Sequence, residues 1–151
     1  MDVFEWIFII SGFIFFISMI CALILMANDK WKTVVIFGMV LAVLMVPIVI
    51  TLINYIIVGK SLNFIVYLFL IFAYLLAEFL LDRVFKIDFR SKLSQHIPYI
   101  ILEWAASFSF LFGAITIDTT IGWIMAIFFW AFVAGLIYYL IIQANKKKKN
   151  G

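Results

Sequence analysis

Apolar positions along this chain come in five long runs separated by short polar punctuation. The first extends from about Val3 to Ala27 and stops at Asn28-Asp29-Lys30, and the second extends from Thr33 to Val58 and stops at Gly59-Lys60-Ser61. The third, Phe64 to Phe85, gives way to the basic stretch Arg83-Val-Phe-Lys-Ile-Asp-Phe-Arg-Ser-Lys92. The fourth, Ile97 to Ile117, stops at Asp118, and the fifth, Ile121 to Gln143, runs into Lys146-Lys147-Lys148-Lys149. Each run reaches the about 20 residues that a helix needs to cross a bilayer's hydrocarbon core. The connections are short, so consecutive helices are expected to pack antiparallel. The pattern predicts an all-α integral membrane protein, one domain over residues 1–151, built as a compact bundle of five transmembrane helices with a basic tail over 144–151. The first run has no basic residue before it and no small-residue cleavage site, so it is expected to be a retained helix rather than a signal peptide.

Composition excludes the soluble alternative. Of 151 residues, 68% are apolar and 13% charged, against about 45–50% and 25% in soluble domains. A soluble chain of this size would bury only about 70% of its surface, too little to hide so many apolar side chains. A single cysteine, Cys21, rules out an intramolecular disulfide and a cysteine metal cluster.

Charge then gives an orientation. Five spans place Lys60 with the N-terminus on one side, and the other ten of the eleven Lys and Arg residues on the opposite side. Basic residues stay cytoplasmic, so the N-terminus is expected outside and the C-terminus inside a cell membrane, read here as the plasma membrane of a prokaryote. The net charge of +3 reflects that bias. It points to anionic lipids of the inner leaflet, not to nucleic acid, since no soluble basic face exists to dock one. Trp6 and Trp123 fall at the expected outer boundary and Trp31 at the inner one, as an aromatic belt requires. Trp104 and Trp130 lie deeper, where packing between helices is expected.

Small residues show where helices could approach. Ser11, Ser18 and Ala22 share a face of the first helix, and Ala105, Ala106, Ser109 and Gly113 thin the fourth. Pro47 removes a backbone donor midway along the second helix, so a kink is expected there. Thr51 and Tyr55 follow at four-residue steps. They give this half-helix a polar edge that either bonds its own backbone or lines a pathway.

The chemistry concentrates on the third and fourth helices. At 100° per residue Tyr67, Tyr74, Glu78 and Asp82 share one face of the third. His96, Tyr99, Glu103 and Ser107 share one face of the fourth. Glu78 and Glu103 both fall about 10 Å from the inner end. If the stripes face each other, they make one site of carboxylates, phenols and an imidazole. Membrane insertion alone does not require such a site. The thirteen Leu, Ile, Phe and Val residues between Phe64 and Leu81 outweigh the roughly +3 kcal/mol of one acidic residue. What an intramembrane carboxylate requires is a partner or a wet cavity.

Two readings follow. Glu78 and Glu103 either pair with Arg83, Arg90 or Lys92 and pin the hairpin, or they form an ion, proton or substrate site. Asp82 precedes Lys86 by four residues, the favourable order for a surface ion pair. Arg83, Lys86, Arg90 and Lys92 read as topology determinants or as a site for an anionic lipid headgroup. His96, expected to open the fourth helix just ahead of Ile97-Pro98, is an interfacial residue or, with the carboxylates, a ligand for a divalent metal. No nucleophile elbow, phosphate loop, dinucleotide fingerprint or paired haem ligand appears, so no catalytic residue and no cofactor is expected. The leading expectation is a proton- or cation-linked transporter or channel component, acting as a homo-oligomer or with a partner membrane protein. The alternatives are an accessory membrane protein that packs against proteins or lipids, and a membrane-embedded enzyme acting on a lipid-like substrate.

Overall fold

The computed structural model describes the backbone of residues 1–85 and 93–151 and the side chains of 1–85 and 96–151. Among the described residues every regular element is helical: α1 (Val3–Ala27), α2 (Trp31–Val58), α3 (Leu62–Phe79), α4 (Leu93–Ile117) and α5 (Thr119–Asn150). α3 passes into a wider π-helical turn, Leu80–Val84, closed by the Phe85 N–H donating to the Leu80 carbonyl at 2.8 Å. All five helices are long and apolar enough to cross a membrane.

Local chemistry sets the ends. Asp2 caps α1, accepting the Glu5 N–H at 2.8 Å while the Glu5 carboxylate accepts the Asp2 N–H at 3.0 Å. α2 stops where Gly59 adopts a left-handed φ of 71° and the Lys60 N–H turns back to the Tyr55 carbonyl. Asp118 alone separates α4 from α5, and its carboxylate accepts the Ile121 N–H at 2.9 Å.

Two boundaries differ by four residues or more from the hydropathy reading. α4 starts at Leu93, so His96 lies inside its first turn rather than opening it. Hydropathy marks only the apolar part of a helix, and polar residues fit a first turn whose N–H groups lack partners in any case. α5 continues through the lysine run to Asn150 instead of ending near Gln143. Lysine is a good helix former, and cations complement the C-terminal end of the helix dipole. The Lys146 ammonium also ties this end to α1, donating to the Ala27 carbonyl at 3.0 Å and pairing with Asp29.

The helices pack in a ring in chain order, closed by α1 against α5, and α1 also meets α4 across the ring. Four antiparallel steps, an even number, make α1 and α5 parallel neighbours. α1 is the most enclosed helix, which explains why its small Ser11 and Ser18 are buried. At the end of the bundle holding the N-terminus, aromatic rings fill the centre. Phe110 lies 5.4 Å from Phe8 and 5.1 Å from Phe15 between ring centroids. Glycines admit two of the tightest approaches. A methyl group on Gly113 would come within 2.5 Å of the Phe8 ring, and one on Gly122 within 2.5 Å of the Ile115 Cα.

Apolar side chains also cover the outside, among them Ile36, Val43, Ile53 and Ile57 on α2 and Trp123 and Ile127 on α5. Trp104 packs between helices, against Phe129 and Phe132. Trp130 does not: it is 67% exposed, because its position on α5 faces away from α1 and α4. α2 continues through Pro47, and the Thr51 hydroxyl donates to the Pro47 carbonyl at 2.8 Å. Of the two expectations for that polar edge, Thr51 meets the backbone-bonding one.

Candidate functional site

At the opposite end, where α1, α3 and α5 finish and α2 and α4 begin, the bundle centre is open. The backbones of α1 and α3 stay apart there among the described residues, and a cavity of about 620 Å³ occupies the space. The antiparallel crossing of α3 and α4 turns their polar stripes toward each other. Glu78 and Tyr74 enter the cavity from α3, His96, Tyr99 and Glu103 from α4, and Asp82 from the π turn. Tyr74 and Tyr99 are buried, Glu78, Glu103 and His96 half-buried, and Asp82 exposed.

A chain of side-chain hydrogen bonds crosses the floor of this cavity. The Tyr99 hydroxyl donates to the Glu78 carboxylate. Tyr74 and Tyr99 share a hydrogen bond at 3.0 Å, and the Tyr74 hydroxyl also lies 3.6 Å from the Met19 sulfur on α1. The order Met19–Tyr74–Tyr99–Glu78 has a chemical consequence. With Glu78 ionised, Tyr74 donates to Tyr99 and Tyr99 donates to the carboxylate. With Glu78 protonated, each donor reverses: the carboxyl donates to Tyr99, Tyr99 to Tyr74, and Tyr74 to the weakly accepting thioether. The chain is therefore satisfied in both protonation states, whereas a buried polar group that loses its partner is costly.

The π turn adds the remaining polar group. It carries Asp82 and Arg83, and the Arg83 guanidinium reaches α2 to donate to the Val35 carbonyl at 2.6 Å. Such turns inside helices are frequent at functional sites. The His96 ring sits 6.4 Å from that of Tyr99. Among the described residues no group of three or more His, Cys, Asp or Glu side chains is placed to hold a metal ion.

The remaining stripe residues lie elsewhere. Ser107 is buried and donates to the Glu103 backbone carbonyl at 2.9 Å, away from the cavity. Tyr67 packs against Phe64 near the other end of α3. Lys86, Arg90 and Lys92 lie outside the described residues, so the expected Asp82–Lys86 pair and the pairing of the carboxylates with Arg90 or Lys92 fall there as well. Other wall residues are not distinguishable in the sequence. Met19, Trp31, Trp104 and Tyr139 line the cavity from α1, α2, α4 and α5. In an apolar helix such residues carry no signal of their own, because which ones face a cavity depends on how five helices meet.

A second polar cluster occupies the far end. Lys60, in the α2–α3 connection, bonds Glu5 at 2.7 Å and lies 3.7 Å from Asp2. Its ammonium is also 5.4 Å from the Tyr55 ring centroid. Lys60's pKa is raised, first by the hydrogen bond to Glu5 and further by the charges of Glu5 and Asp2. This cluster fastens the start of α1 to the α2–α3 turn. Comparison with protein-family models, with curated proteins and with solved structures finds no match for this chain.

Proposed function

We propose that this chain is a multi-pass protein of the cell membrane, with the lysine-rich end of the bundle cytoplasmic, that moves a cation in exchange for a proton at Glu78. The orientation follows from the ten-to-one division of basic residues. The observation that carries the functional reading is the Tyr99–Glu78 hydrogen bond on the wall of an open cavity. A carboxylate that can be satisfied both ionised and protonated can alternate between holding a cation and holding a proton. Intramembrane carboxylates facing a cavity commonly serve such pathways. The packed rings of Phe8, Phe15 and Phe110 close the bundle at the other end. A bundle packed shut at one end, with a cavity toward the other, is an arrangement that alternating access can use.

The test is reconstitution into liposomes loaded with a pH-sensitive dye, with the membrane potential clamped by potassium and valinomycin. Adding cations outside should drive proton movement in wild-type vesicles and none in Glu78→Gln vesicles. Equal rates in wild-type, variant and protein-free vesicles would refute the reading.

A further inference from the structure

We infer that the outer side of the α1–α5 seam binds an anionic phospholipid of the inner leaflet. One acyl chain lies in a groove there, and Lys149 and Lys146 hold the headgroup phosphate. The inference goes beyond the transport reading and does not depend on it.

The groove comes from residue size. Gly135 of α5 is buried against α1, where a methyl group on it would meet the Leu23 side chain at 3.7 Å. On the outward side of this contact, Ala131, Ala134 and Tyr138 of α5 face Ile20 and Ile24 of α1 across a groove of about 300 Å³. Ile24, Ala131, Ala134 and Tyr138 are exposed, so the groove opens sideways, toward the lipid. Ile24 precedes Asn28, which caps the end of α1, by four residues, and Ile20 precedes it by eight. At 1.5 Å per residue the groove therefore lies about 6–12 Å inside that end of the helix. This is within the about 15 Å of hydrocarbon that one leaflet supplies. The walls carry no charged side chain, and an acyl chain matches them.

Charge stands at the end of the groove. α5 stays helical to Asn150, so its lysine run keeps register with the groove. Lys149 follows Tyr138 by eleven residues and Ala131 by eighteen, about three and five turns, which places it over the same face. Lys146 flanks that face on the α1 side, where Asp29 and the Ala27 carbonyl hold its ammonium. Lys149 is exposed and has no carboxylate partner among the described residues. Lys147 lies on the opposite side of the helix. A negative headgroup complements the Lys146–Lys149 edge while its chain occupies the groove below, a pairing that free phosphate cannot make.

The test is native mass spectrometry of the full-length protein in detergent, titrated with phosphatidylglycerol and with phosphatidylcholine carrying the same chains. One saturable phosphatidylglycerol adduct is expected, held roughly tenfold or more tightly than phosphatidylcholine. Lys149→Gln should weaken it about fivefold, and Ala134→Leu, which fills the groove from its exposed wall, should weaken it at least as much. Lys147→Gln should leave it unaltered. Circular dichroism checks folding, and Ala131→Leu tests the same groove should Ala134→Leu not fold. Equal binding of the two lipids would overturn the inference. Equal losses in Lys147→Gln and Lys149→Gln would also overturn it, since they mark a diffuse basic surface. So would full binding in a folded groove-filling variant, or displacement of the adduct by inorganic phosphate.

Discussion

Substituting Tyr99 by Phe deletes one oxygen and little volume, so it probes the hydroxyl chain with minimal change in packing. In the structure that oxygen donates to Glu78 and also meets Tyr74. Hydrogen bonds to a charged group contribute about 1.5–3 kcal/mol, whereas neutral pairs between membrane helices average about 0.6 kcal/mol. Tyr99→Phe should therefore cost about 1.5–3 kcal/mol with Glu78 ionised. Tyr74→Phe removes only the neutral link and leaves Tyr99 donating to Glu78, so it should cost about 0.6 kcal/mol. For a chain of this length each kcal/mol corresponds to roughly 2–4 °C in Tm, so roughly 3–12 °C separates Tyr99→Phe from wild type. The assay is thermal unfolding in one detergent near neutral pH, completed by a Tyr99→Phe/Glu78→Leu double-mutant cycle. The cycle should return a coupling energy above about 1 kcal/mol, against the about 0.3–0.5 kcal/mol within which independent sites add. A Tyr74→Phe loss as large as that of Tyr99→Phe, or a coupling energy near zero, would refute the proposed chain.

Three further expectations concern the frame that holds the cavity. Gly122→Ala drives a methyl group against the Ile115 backbone and should cost about 1–3 kcal/mol by overpacking. In Gly135→Ala the new methyl group meets Leu23 at 3.7 Å, an ordinary contact, so improved helix propensity should leave that variant as stable as wild type or more so; a Tm ranking of the pair settles it. The folded-state pKa of Lys60 is raised above the ordinary lysine value of 10.5. Its contribution is therefore fully present below that value and is lost as pH rises through the folded pKa. Unfolding scans from neutral pH to above pH 10.5 should show a stability loss that Lys60→Met lacks, of about 1 kcal/mol for a partly exposed pair at the end of the bundle. Lys146→Ala releases the end of α5 from Ala27 and Asp29, and hydrogen exchange should become faster over residues 144–150 with little change in Tm.

Much of this architecture is local and so is legible in the chain. Five apolar runs long enough to span a bilayer give five helices, because a backbone in lipid must bond within its own segment. The breaks at Asn28-Asp29, Gly59 and Asp118 are legible too, since the left-handed Asp29 and Gly59 and the capping carboxylate of Asp118 each act over one turn. A period of 3.6 residues puts Tyr74 and Glu78 on one face of α3, and Tyr99 and Glu103 on one face of α4. What the sequence leaves open is anything that depends on how faces meet. Ser107 shares the α4 stripe, yet it bonds its own helix backbone, because the stripe extends farther than the opening between helices. Trp130 and Trp104 both lie well inside their runs, but Trp104 packs between helices against Phe129 and Phe132 while Trp130 is exposed. Met19 becomes the last acceptor of the hydroxyl chain, and Trp31 a cavity wall, only because α1 and α3 stand apart in a five-membered ring. The chain itself determined its helices, their ends and the two polar stripes, since these follow from local backbone bonding and periodicity. Tertiary packing decided which stripe residues share a cavity, because side chains far apart in sequence must converge before they can act together.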